Sequence, residues 1–280
     1  MTRGQAFCAV ALEGLIQLQA NELGLCALSP DVEYVHQARV ALRRLRSALR
    51  LFGPALPASF GRRWAPVWQM HARSLGLARD WDVFCTEWMP RLKTLPGTDT
   101  AMSWLETHAL AQRAAAHAAV QRRLADPRHA RALRAFRRDV KRLARRSSHG
   151  LTDKAWARDR LDRLHRKVTR GADRVISLDV EERHALRIRL KRLRYALDFL
   201  ASLFPAERVR RYREALAQAQ ELLGQLNDLA TVQRLLLDAP PADVAALQPW
   251  LYGEQERLLS LLPAALRPLQ AAARPWRKRG

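Results

Sequence analysis

Acidic residues are scarce in this chain of 280: 27 Asp and Glu stand against 49 Lys and Arg, leaving a formal charge of +22. An excess of that size is far outside what a neutral cytosolic enzyme needs, and it points to an anion as the natural partner. Cysteine is scarce too. Cys8, Cys26 and Cys85 are odd in number and far apart, which argues against a disulfide framework or a zinc site and fits a reducing cytoplasm. Long apolar runs are missing. The longest uncharged stretch is the eleven residues Leu51 to Gly61, well short of the roughly 18 that a transmembrane helix requires, so no membrane partner is expected. The N-terminus has one basic residue, Arg3, and its apolar run is broken by Glu13, so no secretory signal is expected. Aromatics are only 7% of the chain, and Trp64, Trp68, Trp81 and Trp104 sit where helix packing wants them, leaving no evident stacking platform for single-stranded nucleic acid. Runs of alternating β-branched residues are absent as well, which excludes a sheet.

What is present is enough apolar material to fold. Hydrophobic residues make up 48% of the chain, which excludes a disordered basic tail. Of the basic residues 43 are Arg and 6 are Lys. A GC-rich genome produces such a ratio unaided, so the placement of the cations carries the argument.

The placement is duplicated. Sliding Ser29 to Val83 onto Ser177 to Thr231, an offset of 148, gives 19 identities in 55 positions without a gap. The matches include His36/His184, Arg39/Arg187, Leu42/Leu190, Leu45/Leu193, Arg46/Arg194, Gly76/Gly224 and Asp80/Asp228. After a two-residue slip, Trp104-Leu105 falls on Trp250-Leu251. The period within each copy is helical: Val35, Ala38, Leu42, Leu45, Leu49 and Phe52 form one core-facing stripe, and Leu186, Leu190, Leu193, Leu197 and Leu200 form the other. Ser29-Pro30 suits a cap with proline at the first helical position, followed by Asp31 and Glu33 on the positive end of the dipole. Further helices are expected near 5–24, 61–92, 99–124, 129–147, 153–172, 206–237 and 243–272. The fold class is all-α: about four long helices per copy, forming two four-helix bundles related by a pseudo-two-fold axis, with repeats 1–148 and 149–280. The small residues Ser147-Ser148-His149-Gly150 mark the junction, and Arg274 to Gly280 reads as a frayed basic tail.

Beside the first apolar stripe runs a basic one, His36, Arg39, Arg43, Arg46 and Arg50, advancing by 3 and 4 residues. The second copy repeats it with His184, Arg187, Lys191 and Arg194 and ends it at Asp198. Each basic row lies about 100° from its apolar stripe, on the flank of the buried face. Its members repel one another, by a few tenths of a kcal/mol per pair at i,i+4. Asp80, Asp82 and Asp228 are the acids placed to offset this internally, but the chain is 22 negative charges short of neutrality. A groove or channel between the two rows, filled by a polyanion, is the alternative. A cation about every 5 Å along a helix suits a linear chain of closely spaced phosphates, which Arg can grip with two hydrogen bonds.

Catalysis finds little support. His36 and His184 have cations, not acids, at i+3 and i+7, which weakens any metal there electrostatically. Neither a glycine-rich phosphate loop nor a Ser/His/Asp arrangement is visible. No catalytic residue, metal or cofactor is therefore expected. His71, His108, His117, His129, His149 and His165 lack repeat partners and read as ordinary surface or core residues. Gly76 and Gly224 interrupt helical runs at a cost of about 1 kcal/mol each against alanine, which predicts close helix approach at both.

The strings His36-Gln-Ala-Arg39-Val-Ala-Leu-Arg43-Arg-Leu-Arg46 and His184-Ala-Leu-Arg187-Ile-Arg-Leu-Lys191-Arg-Leu-Arg194-Tyr195 closely resemble the paired signatures of the CHAD family, the conserved-histidine α-helical domains. Leu75-Gly76 with Arg79-Asp80, and Leu223-Gly224 with Asn227-Asp228, resemble that family's second motif. The resemblance spans nearly the whole chain. It implies two helical bundles about a basic central cavity that binds inorganic polyphosphate, with attachment to cytoplasmic polyphosphate granules in bacteria. By position it assigns binding to His36, Arg39, Arg43, Arg46, His184, Arg187, Lys191 and Arg194, with Arg50 extending the first row. Arg79 joins them, although its counterpart is the neutral Asn227. Asp198 departs from the family pattern by standing where a longer acid is frequent. Nothing resembles the Glu-x-Glu-x-Lys strand of the CYTH domain that many relatives carry, so a stand-alone, non-enzymatic binding module is expected. Nucleic acid remains a non-specific alternative through its phosphates, and a triphosphate-processing enzyme is the other rival.

Overall fold

The structure, a computed structural model, describes residues 1–27, 31–96, 99–146, 150, 152–238 and 241–277. It divides into two compact units, Met1–Thr152 and Asp153–Gly280. Among the described residues there is no strand, and no helix is long and apolar enough to cross a membrane.

The first unit is built from α1 (Arg3–Leu25), α2 (Val32–Phe52), α3 (Ala58–Val83), the short α4 (Met89–Leu92), α5 (Asp99–Ala125) and α6 (Pro127–Arg146). Five of these are long, one more than a four-helix bundle holds. The packing order explains why: α1 lies against α2, α2 against α3, α3 against α5, α5 against α6, and α6 returns to α1, closing the ring. Its core is aromatic. Phe7 meets Phe52 and Phe60 edge-on, and Phe136 of α6 packs against Phe60, Trp64 and Trp68. Trp64 and Trp68 are buried, as packing required, and so is Trp81. Between α3 and α4 the chain adopts one π turn, Phe84–Trp88. That wider turn shifts the helical register after Asp82.

The second unit holds α7 (Lys154–Ala172), α8 (Val180–Leu200), α9 (Ala206–Leu235) and α10 (Pro241–Ala271). These pack in sequence, and α10 returns to α7, giving a closed four-helix bundle. Arg274 to Arg277 contribute to this core instead of fraying, while Lys278 to Gly280 lie outside the described residues. Trp276 is 1% exposed, its Nε1 donates to Asp162 Oδ1 at 2.8 Å, and Arg277 Nη2 reaches Asp162 Oδ2 at 2.8 Å. Burial alone would raise the Asp162 carboxyl, but the hydrogen bonds from Arg277 and Trp276 outweigh it and hold the group below its ordinary range.

Two local expectations shift. The caps of α2 and α8 are Asp31 and Asp179, so α2 starts two residues beyond the Ser29 cap that the sequence suggests. Ser29 and Pro30 lie outside the described residues, while Ser177 closes a short 3-10 turn, Val175–Ser177. Aspartate accepts the free amides at the helix start while placing a negative charge on the positive dipole end, which serine cannot do. At the junction, Ser147, Ser148 and His149 lie outside the described residues, and Gly150 takes φ 68°, a conformation that favours glycine.

Candidate functional site

In the first unit the core sets the rotation of α2. Val35, Ala38, Leu42, Leu45, Leu49 and Phe52 are buried, so the basic row one step round the helix is held at the rim: His36, Arg39, Arg43 and Arg46 are half-buried and Arg50 is exposed. The helix α3 lies alongside. Arg39 Nη1 donates to the Ala72 carbonyl at 3.4 Å, and a Cβ added to Gly76 would stand 3.3 Å from the same Nη1. Gly76 thus leaves room for a guanidinium, not for a close helix crossing. Gly224 differs again, since a Cβ there would meet nothing within 4 Å.

Two further cations come to the row from α3. His36 is held below the usual imidazole range, first by burial, then by Arg79, with Arg43 and Arg39 adding to the effect and Glu33 opposing it. Arg46 is lowered by burial first, then by Arg50 and Arg73. Arg79 therefore lies beside the row, within electrostatic reach of His36. Arg73 lies beside it too, although the duplication hid it, because its counterpart in the second copy is Glu221. Spacing was the available signal: Arg73, Gly76 and Asp80 step by 3 and 4 along the face of α3 that meets α2.

Counter-charge is thin. Arg79 Nη2 reaches Glu87 Oε1 at 3.6 Å, but among the described residues Arg43, Arg46 and Arg50 form no ion pair. Asp82, which the sequence offered as a partner for the row, faces the other way. It is fully buried, and its Oδ1 accepts from Arg113 Nε at 2.8 Å and pairs with His117 Nε2 at 2.8 Å, both from α5. The buried acid consequently ties α3 to α5. His129 and Glu22 form a similar tie, at 3.0 Å, between α6 and α1. His71 packs its ring against His129, and burial, then His129, then Arg123 push it down to about 3. These histidines are structural links, more specific than the ordinary core or surface residues first expected.

The second unit repeats the placement with different partners. Asp179 caps α8, accepting from Glu182 N at 2.7 Å while Glu182 Oε2 accepts from Asp179 N at 3.1 Å. Leu186, Leu190, Leu193, Leu197 and Leu200 are buried. His184 is exposed, and its Nδ1 lies 2.6 Å from Asn227 Oδ1 of α9. With Nδ1 donating to that oxygen, Nε2 donates outward only when the ring is protonated. Asn227 stands where the first unit has Arg79, so a carbonyl steadies His184 where a cation repels His36. Asn227 Nδ2 also donates to Asp228 Oδ1 at 3.4 Å, and Arg187 Nη2 lies 3.9 Å from that carboxylate, a loose contact. Lys191 and Arg194 follow half-buried, with the Arg194 guanidinium 5.4 Å from the Tyr195 ring. Asp198 closes the row by accepting from Arg213 at 2.6 Å.

Among the described residues, no three His, Cys, Asp or Glu side chains gather as metal ligands, and all three cysteines are free thiols. Each unit presents a line of cations on a helix whose other face is locked in the core. Fixed donors of this kind suit phosphate oxygens.

An all-α protein of two compact helical units, each carrying a histidine-led row of cations on its second helix, is the class defined so far. The chain matches the CHAD domain over residues 9–237, and it belongs to that family. It is similar to the CHAD domain from the plant Ricinus communis, seen in a crystal structure: 30% identity, 98% of this chain and 93% of that chain covered, TM-score 0.79. PptA from Streptomyces chartreusis shares the fold at 17% identity, covering 97% of this chain and 99% of that chain, TM-score 0.65. No curated protein matches the chain.

Proposed function

We propose that this CHAD protein binds inorganic polyphosphate without turning it over, and gathers with polyphosphate granules in the cytoplasm. The contacts are His36, Arg39, Arg43, Arg46, Arg50, Arg73 and Arg79 in the first unit, with His184, Arg187, Lys191 and Arg194 in the second. One observation carries the reading. Arg43, Arg46 and Arg50 stand in line at the rim of a buried helix with no ion pair among the described residues, a repulsion that a row of phosphates would relieve. Non-catalytic binding is supported by where the acids are: Asp82 is spent on α5, Asp228 lies beside Arg187, and no carboxylate cluster is present among the described residues to hold Mg²⁺.

The test is a titration of the whole chain with long-chain polyphosphate, followed by a phosphate-release assay with Mg²⁺ or Mn²⁺. Saturable binding without release is expected, and Arg43→Glu with Lys191→Glu should abolish it while helical content stays unchanged. Release of phosphate would overturn the non-enzymatic part, and binding that survives the charge reversals would overturn the site.

A further inference from the structure

Helix α6 has a charge pattern unlike the α2 row. Its sequence, PRHARALRAFRRDVKRLARR, holds nine basic residues and one acid. At roughly 100° per residue, His129, Leu133, Phe136, Val140 and Leu143 fall on one side, and all five are buried. Arg131, Arg134, Arg138, Lys141 and Arg145 fall on the opposite half, and every cation of the helix is exposed. The single acid, Asp139, sits at the margin, where Arg63 Nη1 at 3.1 Å and Trp64 Nε1 at 3.2 Å already occupy it. Arg142 reaches it only at 4.0 Å, the one ion pair that these nine cations make among the described residues. Arg137 donates to the neutral Gln19 at 2.6 Å.

A solvated helix face ordinarily mixes charge signs, so that i,i+3 and i,i+4 neighbours attract. Here they repel along the whole length. The apolar side is buried inside the unit, which leaves only charge for a partner to recognise.

The width of the face says which polyanion suits it. The cations cover about half the circumference of a cylinder roughly 30 Å long and 10–12 Å across. A single strand of phosphates lies along one line of such a cylinder and leaves the rest unmatched. A duplex presents two phosphate strands flanking a groove about 12 Å wide, with one charge per roughly 1.7 Å of axis. It meets both edges of the arc at once. We infer that the exposed face of α6 docks on the phosphate backbone of double-helical nucleic acid, at a site distinct from the α2 and α8 rows. The interaction is charge to phosphate and therefore independent of base sequence. It does not rest on the polyphosphate reading, since no residue of those rows takes part.

The experiment uses the full chain, a labelled mixed-sequence DNA duplex of about 30 base pairs and labelled long-chain polyphosphate, each titrated across a salt series. The variant Arg131→Gln, Arg134→Gln, Arg138→Gln, Lys141→Gln and Arg145→Gln changes only exposed side chains. Duplex affinity should fall at least about tenfold, and the slope of log affinity against log salt should flatten by about 4.5, near 0.9 for each phosphate no longer neutralised. Polyphosphate affinity should stay within about threefold, and Arg43→Gln with Arg46→Gln should give the reverse selectivity. Replacing the four arginines by lysine should preserve duplex binding, which separates charge from folding. If the fivefold variant loses helicity, Arg134→Gln with Arg138→Gln carries the test, with an expected slope change of about 2. Unchanged duplex binding, or parallel loss of both ligands, would overturn the inference. A wild-type chain that takes polyphosphate but no duplex would sink this site alone, whereas duplex binding without polyphosphate binding would sink only the other.

Discussion

Removing charge from the middle of the α2 row should weaken ligand binding and strengthen the free protein together. Arg43 and Arg46 are three residues apart, about 4.5 Å along the axis, half-buried and without an ion pair among the described residues. Neutralising both, as Arg43→Gln with Arg46→Gln, deletes two charge-assisted hydrogen bonds of about 1.5–3 kcal/mol each, so polyphosphate affinity should drop by at least about a hundredfold. For a single-stranded polyanion each phosphate left without its cation flattens the salt slope by about 0.7, and the pair should flatten it by about 1.4. Burial first, and then the neighbouring charges of Arg50 and Arg73, hold Arg46 below its ordinary value, and in the unbound protein the same change removes the repulsive part. Relief of a few tenths of a kcal/mol per pair predicts a variant slightly more stable than the parent. Isothermal titration at several salt concentrations reads the first effect, and urea unfolding followed by circular dichroism reads the second. A variant that loses affinity only because it is destabilised, or one that keeps both affinity and slope, would refute the reasoning.

Two other outcomes follow from the same geometry. His36 is held below the ordinary imidazole range by burial and by Arg79, Arg43 and Arg39, and bound phosphate should raise it. The complex then takes up a proton, so affinity should increase as pH falls from neutrality through the bound-state value and level off below the free-state value. The variant His36→Gln should lose that His36 share of the pH dependence, and an identical pH profile would show that the imidazole takes no part. Asp82→Ala leaves Arg113 and His117 facing a buried gap, a loss of about 3–5 kcal/mol. It should lower the melting temperature with little change in the polyphosphate salt slope, and a flattened slope would place Asp82 in the binding row after all.

The helices and the two rows were legible in the sequence because both are local properties. A stripe such as Leu186, Leu190, Leu193 and Leu197 tells which side of α8 is buried, and the step of 3 and 4 then places His184, Arg187, Lys191 and Arg194 beside it, whatever the rest of the chain does. The family resemblance is carried by those same local strings. The misses have a common cause. Whether Gly76 meant helix contact or space for Arg39, and whether a tail carrying Trp276 frays or seals a core, depends on residues brought together by packing.

Pairing was decided by the tertiary structure alone. Asp82 meets Arg113 across 31 positions, Glu22 meets His129 across 107, and Trp276 meets Asp162 across 114. Periodicity carries no information about partners so far apart, since each helix records only which of its sides is apolar. The α2 row shows the division: its cations could be counted and aligned from the letters, but that Asp82 turns away from them and Arg73 turns toward them follows from how α3 is clamped between α2 and α5. A buried carboxylate goes to the donors that desolvation places within reach, and only folding determines which donors those are.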